Sequence, residues 1–267
     1  MLSSLRLTTD LRTAVAGGEL SVAYQGQYDL GATAESGDTL AAVPASVEAL
    51  CRWHHPEQGP ISPEVFIPLA ERGGFLDEVD GYVFSRAAEQ ISEWRDGGHD
   101  VGFAVNVSPA HFSSRYADAV MIRLDELDLD PAALTVEITE APLPQLRAPM
   151  LSAIESLHQA GVTISVDDFA ASDTTVAMLE SLPIDEVKLD RSLTQRVDAA
   201  ADDAIATVVE TSAGHGWRVV AEGIETLADL ARAVARGCDR GQGYLWGMPL
   251  SADAMSGVLR GVGPAAV

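Results

Sequence analysis

Asn106, Glu137, Asp167, Lys188, Glu222 and Gln242 follow one another at steps of 31, 30, 21, 34 and 20 residues, and Glu48 precedes them. Each sits in or beside a short apolar run, and steps close to one strand-plus-helix repeat place such groups around one rim. Asp168 adjoins Asp167, while Glu140, Asp190 and Glu225 lie a few residues beyond their neighbours. Carboxylates gathered this closely repel one another by on the order of several kcal/mol unless cations neutralise them. Bound divalent metal is the natural resolution. An all-oxygen donor set without clustered His or Cys favours Mg²⁺ or Mn²⁺ over Zn²⁺. The adjacent pair Asp167-Asp168 suits two metals sharing a carboxylate, which activate water and clamp both oxygens of an in-line displacement. The reaction that fits is phosphodiester hydrolysis.

Lys188 belongs to the same set. The chain has 17 basic residues, of which 16 are arginine and this one lysine. A compact ammonium in place of a planar guanidinium at that strand position points to a role among the carboxylates.

The elements that must position these groups are short β-branched runs alternating with helical patterns. Strands are expected at Ser21–Gln25, Val47–Trp53, Val101–Val107, Leu134–Ile138, Val162–Val166, Glu186–Leu189, Arg218–Ala221 and Gly243–Trp246. Helices are expected after a Ser62 cap with Pro63 at the first position, over Leu76–Arg95, Tyr116–Leu127, Gln145–Gln159 and Thr174–Leu182, over Ala200–Ala213 stopping at Gly214, and over Thr226–Ala235. Eight strands alternating with helices indicate an α/β chain closed into a (β/α)8, TIM-like barrel. The segment Asp29–Ala45 has no apolar stripe for a covering helix, so the first two strands are expected to pair antiparallel through an extended hairpin loop. A single domain is expected, with its core at about residues 20–260 and a frayed tail at 261–267.

Composition narrows the partners. With 40 acidic residues among 267 and a net charge of −23, the chain is a poor general binder of nucleic-acid polymers, which are held by lysine and arginine. Cys51 and Cys238 are far apart and support neither a disulfide framework nor a thiolate zinc site. No apolar run approaches the roughly 18 residues of a membrane span, and no signal-type segment opens the chain. A cytoplasmic protein without a membrane partner, or a fragment of a longer one, is the expectation.

The motifs themselves resemble a known family. Val47-Glu48-Ala49-Leu50 with Arg52-Trp53, Asn106-Val107-Ser108-Pro109, Glu137-Ile138-Thr139-Glu140, Asp167-Asp168-Phe169, Lys188-Leu189-Asp190, Ala221-Glu222-Gly223-Ile224-Glu225 and Gln242-Gly243-Tyr244-Leu245 are similar, in order, to the EAL domain. The resemblance runs from about Tyr24 to Leu250. It implies a barrel with an antiparallel first strand and hydrolysis of cyclic di-GMP to 5′-pGpG with two Mg²⁺ or Mn²⁺ ions. It further implies that Glu48, Asn106, Glu137 and Asp167 hold one metal and Asp167, Asp168 and Glu222 the other. Lys188 would orient or activate the attacking water, with Glu48, Glu222 and Lys188 as the catalytic set. Gln25, Arg52, Gln242, Asp190 and Glu225 would serve the substrate side, and Glu140 would brace the loop after the fifth strand. A homodimer and a sensor or regulatory partner are further expectations from the resemblance.

Two stretches depart from the family pattern. Ala170-Ala171-Ser172-Asp173-Thr174-Thr175 stands where the family has Gly-Thr-Gly-Tyr-Ser-Ser, and Gly26-Gln27 stands for Pro-Ile. The first departure carries the alternative that the chain is a catalytically weak or inactive EAL domain, acting as a cyclic di-GMP receptor or a protein-interaction module.

Overall fold

The computed structural model describes residues 4–36, 42–108, 111–139, 147–169 and 175–261. The strands are β1 (Leu20–Asp29), β2 (Ser46–His55), β3 (Gly59–Ile61), β4 (Gly102–Asn106), β5 (Leu134–Thr139), β6 (Thr163–Phe169), β7 (Glu186–Leu189), β8 (Arg218–Ala221) and β9 (Arg240–Gln242). Their order is β1-β9-β8-β7-β6-β5-β4-β2-β3, and a β1–β2 pairing closes the ring, leaving β3 outside as a hairpin extension of β2. Eight strands therefore form the barrel. β1 is antiparallel to both β2 and β9, whereas the pairs from β2–β4 round to β8–β9 are parallel.

Alternation along the strands explains how the barrel is filled. Val47, Val136, Val166 and Val187 belong to the apolar core, while the residues flanking them, Ser46 and Glu48, Thr135 and Glu137, Ser165 and Asp167, and Glu186 and Lys188, are buried polar groups. Because successive side chains of a strand face opposite ways, each strand gives one face to the apolar layer and the other to a polar lumen. The apolar layer is completed by the helices. Among them are α3 (Pro63–Gly73) and α4 (Leu76–Asp96), which bury Phe66, Leu69, Val79, Phe84 and Ile91.

An N-terminal helix, α1 (Ser4–Gly17), was not anticipated; it buries Leu11 and Ala14 and packs on α3. A short α2 (Leu30–Ser36) follows β1, so the stretch read as hairpin loop opens with a helix whose first turn is held by Ala32 N–H on Asp29 Oδ1 at 2.9 Å. The remaining helices are α5 (Ser114–Glu126), α6 (Ala148–Gln159), α7 (Val176–Leu179), α8 (Arg191–Thr194), α9 (Ala199–His215), α10 (Leu227–Ala235) and α11 (Ala252–Leu259).

Three expectations need correction. The last barrel strand is Arg240–Gln242, not Gly243–Trp246. At Gly243 the chain turns over the segment after β8, where a Cβ would lie 2.2 Å from the Ile224 carbonyl oxygen, and Leu245 N–H then bonds that oxygen at 2.9 Å. The apolar run that imitated a strand is thus a cap, with Trp246 stacked on Tyr28 at 4.5 Å. Ser62 occupies the N-cap position of α3 but its side chain makes no capping bond. Gly214 does not stop α9, which continues to His215 and ends on Gly216 at φ 75°; a left-handed terminus is what glycine permits without a Cβ penalty. The expected tail from 262 onward lies outside the described residues.

Candidate metal centre

The carboxyl ends of β4 to β9, with Glu48 near the start of β2, bring the predicted metal-ligating groups together. Ligand oxygens of Glu48, Glu137 and Asp167 lie within 4.8 Å of one another, and so do those of Asp167, Asp168 and Glu222. Asp167 belongs to both sets. Asp167 and Asp168 are consecutive, so a regular strand would send them to opposite faces. Here β6 shifts register against β7 between Val166 and Phe169, and Asp168 takes φ 57°. Such a bulge re-aims side chains at a strand end, and it places both aspartates on the rim.

Lys188 lies at the centre, fully buried. Its Nζ is 2.9 Å from Glu222 Oε1, 3.0 Å from Glu137 Oε2, 3.0 Å from Asp167 Oδ1 and 3.6 Å from Glu48 Oε2. Amides complete the shell. Asn106 Nδ2 and Gln242 Nε2 each donate to Glu48 at 2.6 Å, and Gln242 Nε2 also reaches Gln25 Oε1 at 3.2 Å. Gln27, which sequence reasoning passed over, is buried and donates to Glu137 Oε1 at 3.3 Å. Its spacing of two from Gln25 on β1 is the signal that could have found it.

One ammonium does not neutralise five carboxylates. Two unit charges about 4 Å apart still interact by about 4 kcal/mol at an effective dielectric of 20. Burial pushes Glu222 up to about 8, with Lys188 pulling it down and Asp167 and Glu48 adding to the rise. Asp168 is pushed up to about 6 by burial and by its neighbour Asp167. Glu137 and Asp167 are also raised, chiefly by burial. Glu48 alone is lowered: burial opposes this, but Lys188 and the Gln242 and Asn106 amides outweigh it. Burial works against the Lys188 charge too, yet Asp167, Glu137, Glu222 and Glu48 together hold it protonated.

These features fit divalent metal. The donors are all oxygen, the two triads share one carboxylate, and the carboxyls are buried and crowded enough that four of the five have raised pKa values. Glu137 Oε2 and Lys188 Nζ lie 3.0 Å apart without an aligned hydrogen bond between them.

The remaining predicted residues lie around this centre. Arg52 is half-buried and donates Nη1 to the Cys51 carbonyl oxygen at 2.9 Å. It lines a cavity of about 350 Å³ that also touches Leu50, Asp80, Asn106 and Ser108. Asp190 caps α8 through Ser192 N–H at 2.9 Å, and Glu225 is exposed, its own N–H held by Asp229 at 3.2 Å. Thr194 Oγ1 donates to the Glu222 carbonyl oxygen at 2.6 Å and Gln195 Nε2 to that of Gly223 at 2.9 Å, a brace no sequence motif signalled. Glu140 and residues 170–174 of the divergent loop lie outside the described residues. The departure at Gly26 has a physical counterpart, because a Cβ there would come within 2.7 Å of the Tyr28 ring.

Comparison with known proteins agrees with this geometry. The EAL domain pattern matches residues 8–249. The chain is 34% identical over 255 residues to the bifunctional diguanylate cyclase/cyclic di-GMP phosphodiesterase MucR of Pseudomonas aeruginosa, covering 94% of this chain and 36% of that protein. It is 33% identical over 264 residues to the cyclic di-GMP phosphodiesterase NbdA of the same species, covering 96% of this chain and 32% of that protein. The chain thus spans about a third of the length of these relatives. The PaMucR phosphodiesterase, solved as a c-di-GMP complex, superposes with a TM-score of 0.83 at 32% identity, covering 93% of this chain and 98% of that one. A closed eight-stranded barrel with one reversed strand, two carboxylate triads sharing Asp167, and sequence similarity across nearly the whole length lead to one assignment: the chain belongs to the EAL domain family.

Proposed function

We propose that this chain hydrolyses cyclic di-GMP to 5′-pGpG with two Mg²⁺ or Mn²⁺ ions. The observation that carries the reading is the pair of carboxylate triads joined at Asp167, with Lys188 between them. Glu48, Asn106, Glu137 and Asp167 would hold one ion, and Asp167, Asp168 and Glu222 the other. When bound, the ions supply a water acidified for attack and a positive clamp on the phosphoryl oxygens.

The chain's own groups do the rest. Lys188 offers a proton-bearing ammonium within 3.0 Å of Glu137, Asp167 and Glu222, where it can orient the attacking water and offset charge on the phosphoryl group. Gln242 and Asn106 fix the Glu48 carboxylate by donating to both of its oxygens. Arg52 uses one nitrogen on a backbone carbonyl and has further N–H groups for a phosphate at the adjacent cavity. Gln25, already bonded to Gln242, Asp190 and Glu225 are assigned to the substrate side, and Glu140 to bracing the loop after β6. Homodimerisation and control by a sensor partner are further parts of this reading, supported by the family resemblance.

The test is product formation. Purified protein with Mn²⁺ and cyclic di-GMP should yield 5′-pGpG, and an Asp167→Asn variant should not. Saturable binding of intact ligand with no product over hours would replace the enzyme reading with a receptor, the alternative motivated by the missing glycines in 170–175.

A further inference from the structure

The other end of the barrel holds a second polar cavity, of about 410 Å³. Ser46, Gly102, Thr135, Thr163, Arg218 and Arg240 line it from the starts of β2, β4, β5, β6, β8 and β9, the strands that farther along carry the metal centre. Arg95 from α4 completes the basic side. In a chain of net charge −23, three guanidinium groups meet around one opening, beside the carboxylates of Asp100 and Asp130.

Two of the three have close partners. Arg218 Nε is paired with Glu186 Oε2 at 2.7 Å, and Arg95 with Asp100 at 3.0 Å and the Val101 carbonyl oxygen at 3.2 Å. Arg240 makes no side-chain hydrogen bond and no close ion pair among the described residues, although Glu186, Asp29 and Asp239 act on its charge from farther off. Its cross-strand neighbour Asp29 has Oδ1 committed to Ala32 N–H, and Asp130 on the cavity wall accepts from Ala132 N–H. A second observation points to a ligand: Ser46 is only 3% exposed and its hydroxyl has no partner among the described residues. Gly102 lets β4 pack closely beside that hydroxyl, since a Cβ there would sit 3.4 Å from Ser46 Oγ and 3.1 Å from the Ala133 carbonyl oxygen.

We propose that this amino-terminal mouth is a binding site for a small tetrahedral oxyanion of the phosphate class. Arg240 supplies the uncommitted planar fork, Arg218 a second guanidinium with free N–H groups, and Ser46 and Thr135 hydroxyl donors. Forked N–H pairs and hydroxyls converging from several strands match an acceptor with oxygens in more than one plane, rather than a single point charge. The site is independent of the metal centre and of the proposed hydrolysis.

Calorimetric titration of the metal-free Arg52→Gln chain with inorganic phosphate, at fixed ionic strength, tests this, because removing both the metal and the Arg52 guanidinium leaves the opposite mouth without its proposed phosphate ligands. One saturable site is expected, with sulfate competing and chloride not. Arg240→Gln should weaken binding at least tenfold, whereas Arg12→Gln, at an exposed arginine on α1, should leave it unchanged. Absence of a saturable signal, or binding untouched by Arg240→Gln, overturns the proposal. Should Arg240→Gln lose its native circular dichroism, Ser46→Ala decides: several-fold weaker binding supports the site, and unchanged binding refutes it.

Discussion

Asp168 donates its backbone N–H to Asp167 Oδ1 at 2.9 Å while its own backbone sits at φ 57°. The left-handed conformation costs a non-glycine residue about 1–2 kcal/mol. What it achieves is a turn that lets two consecutive carboxylates face one centre and orients the shared one with a main-chain donor. Strain of this kind persists at sites where geometry matters more than stability.

Replacing Asp168 by Asn therefore tests the second of the two proposed ion sites. Asparagine tolerates the left-handed region, so the turn survives, but one ligand to the second triad is weakened. Mn²⁺ titration should fall from two ions to one per chain, with thermal stability of the metal-free protein unchanged or raised, since a carboxylate is removed from a crowded cluster. Two ions bound with unchanged affinity would remove Asp168 from the site.

Lys188→Met should destabilise the metal-free protein by about 3 kcal/mol or more, as expected when one member of a buried charge cluster is deleted. Chemical denaturation measures it. Saturating Mn²⁺ should restore part of the loss by binding the folded state alone. Equal destabilisation with and without metal would show that the lysine acts through packing only.

The rim of Asn106, Glu137, Asp167, Lys188 and Glu222 was legible because a barrel repeats its strand ends at a sequence interval that can be counted. The antiparallel β1 was legible because the segment after it has no apolar stripe for a covering helix, although the short α2 does stand there. The final strand was not: Tyr244, Leu245 and Trp246 have strand-like composition, and only the closeness of Gly243 to Ile224 shows that they cap the barrel. Gln27, Thr194 and Gln195 were hidden for a related reason. They act through contacts across 110 and 28 residues of chain, and amides or hydroxyls of that kind carry no local pattern.

Metal affinity should climb with pH. In the metal-free protein the Asp168 carboxyl is held up to about 6 and that of Glu222 up to about 8. Below these values a proton competes with the ion for the same oxygens, and above them it does not. Mn²⁺ binding followed from pH 5.5 to 8.5 should tighten across this window and level off above it, with protons released on binding until both groups are ionised near its upper end. A flat profile would show that Lys188 alone already keeps both groups ionised.

The segment that leaves Glu222 is anchored at Asp229. Its Oδ2 accepts from Thr226 N–H at 2.8 Å, Thr226 Oγ1 at 2.7 Å and Glu225 N–H at 3.2 Å, while Thr226 Oγ1 in turn accepts from Asp229 N–H at 3.1 Å. This is a capping box, whose disruption costs on the order of 1 kcal/mol. Burial would raise the Asp229 pKa, but these donors and Arg232 outweigh it and hold the carboxyl below its ordinary value. A group depressed in the folded state stabilises above its unfolded pKa of about 3.9 and loses that contribution as pH falls through the folded value. Asp229→Ala should thus be less stable than the parent at pH 7 by about 1–2 kcal/mol, and the gap should narrow steadily below pH ~4. Urea midpoints measured at the two pH values check it: a gap that does not shrink in acid would mean that the carboxylate charge contributes nothing to the cap.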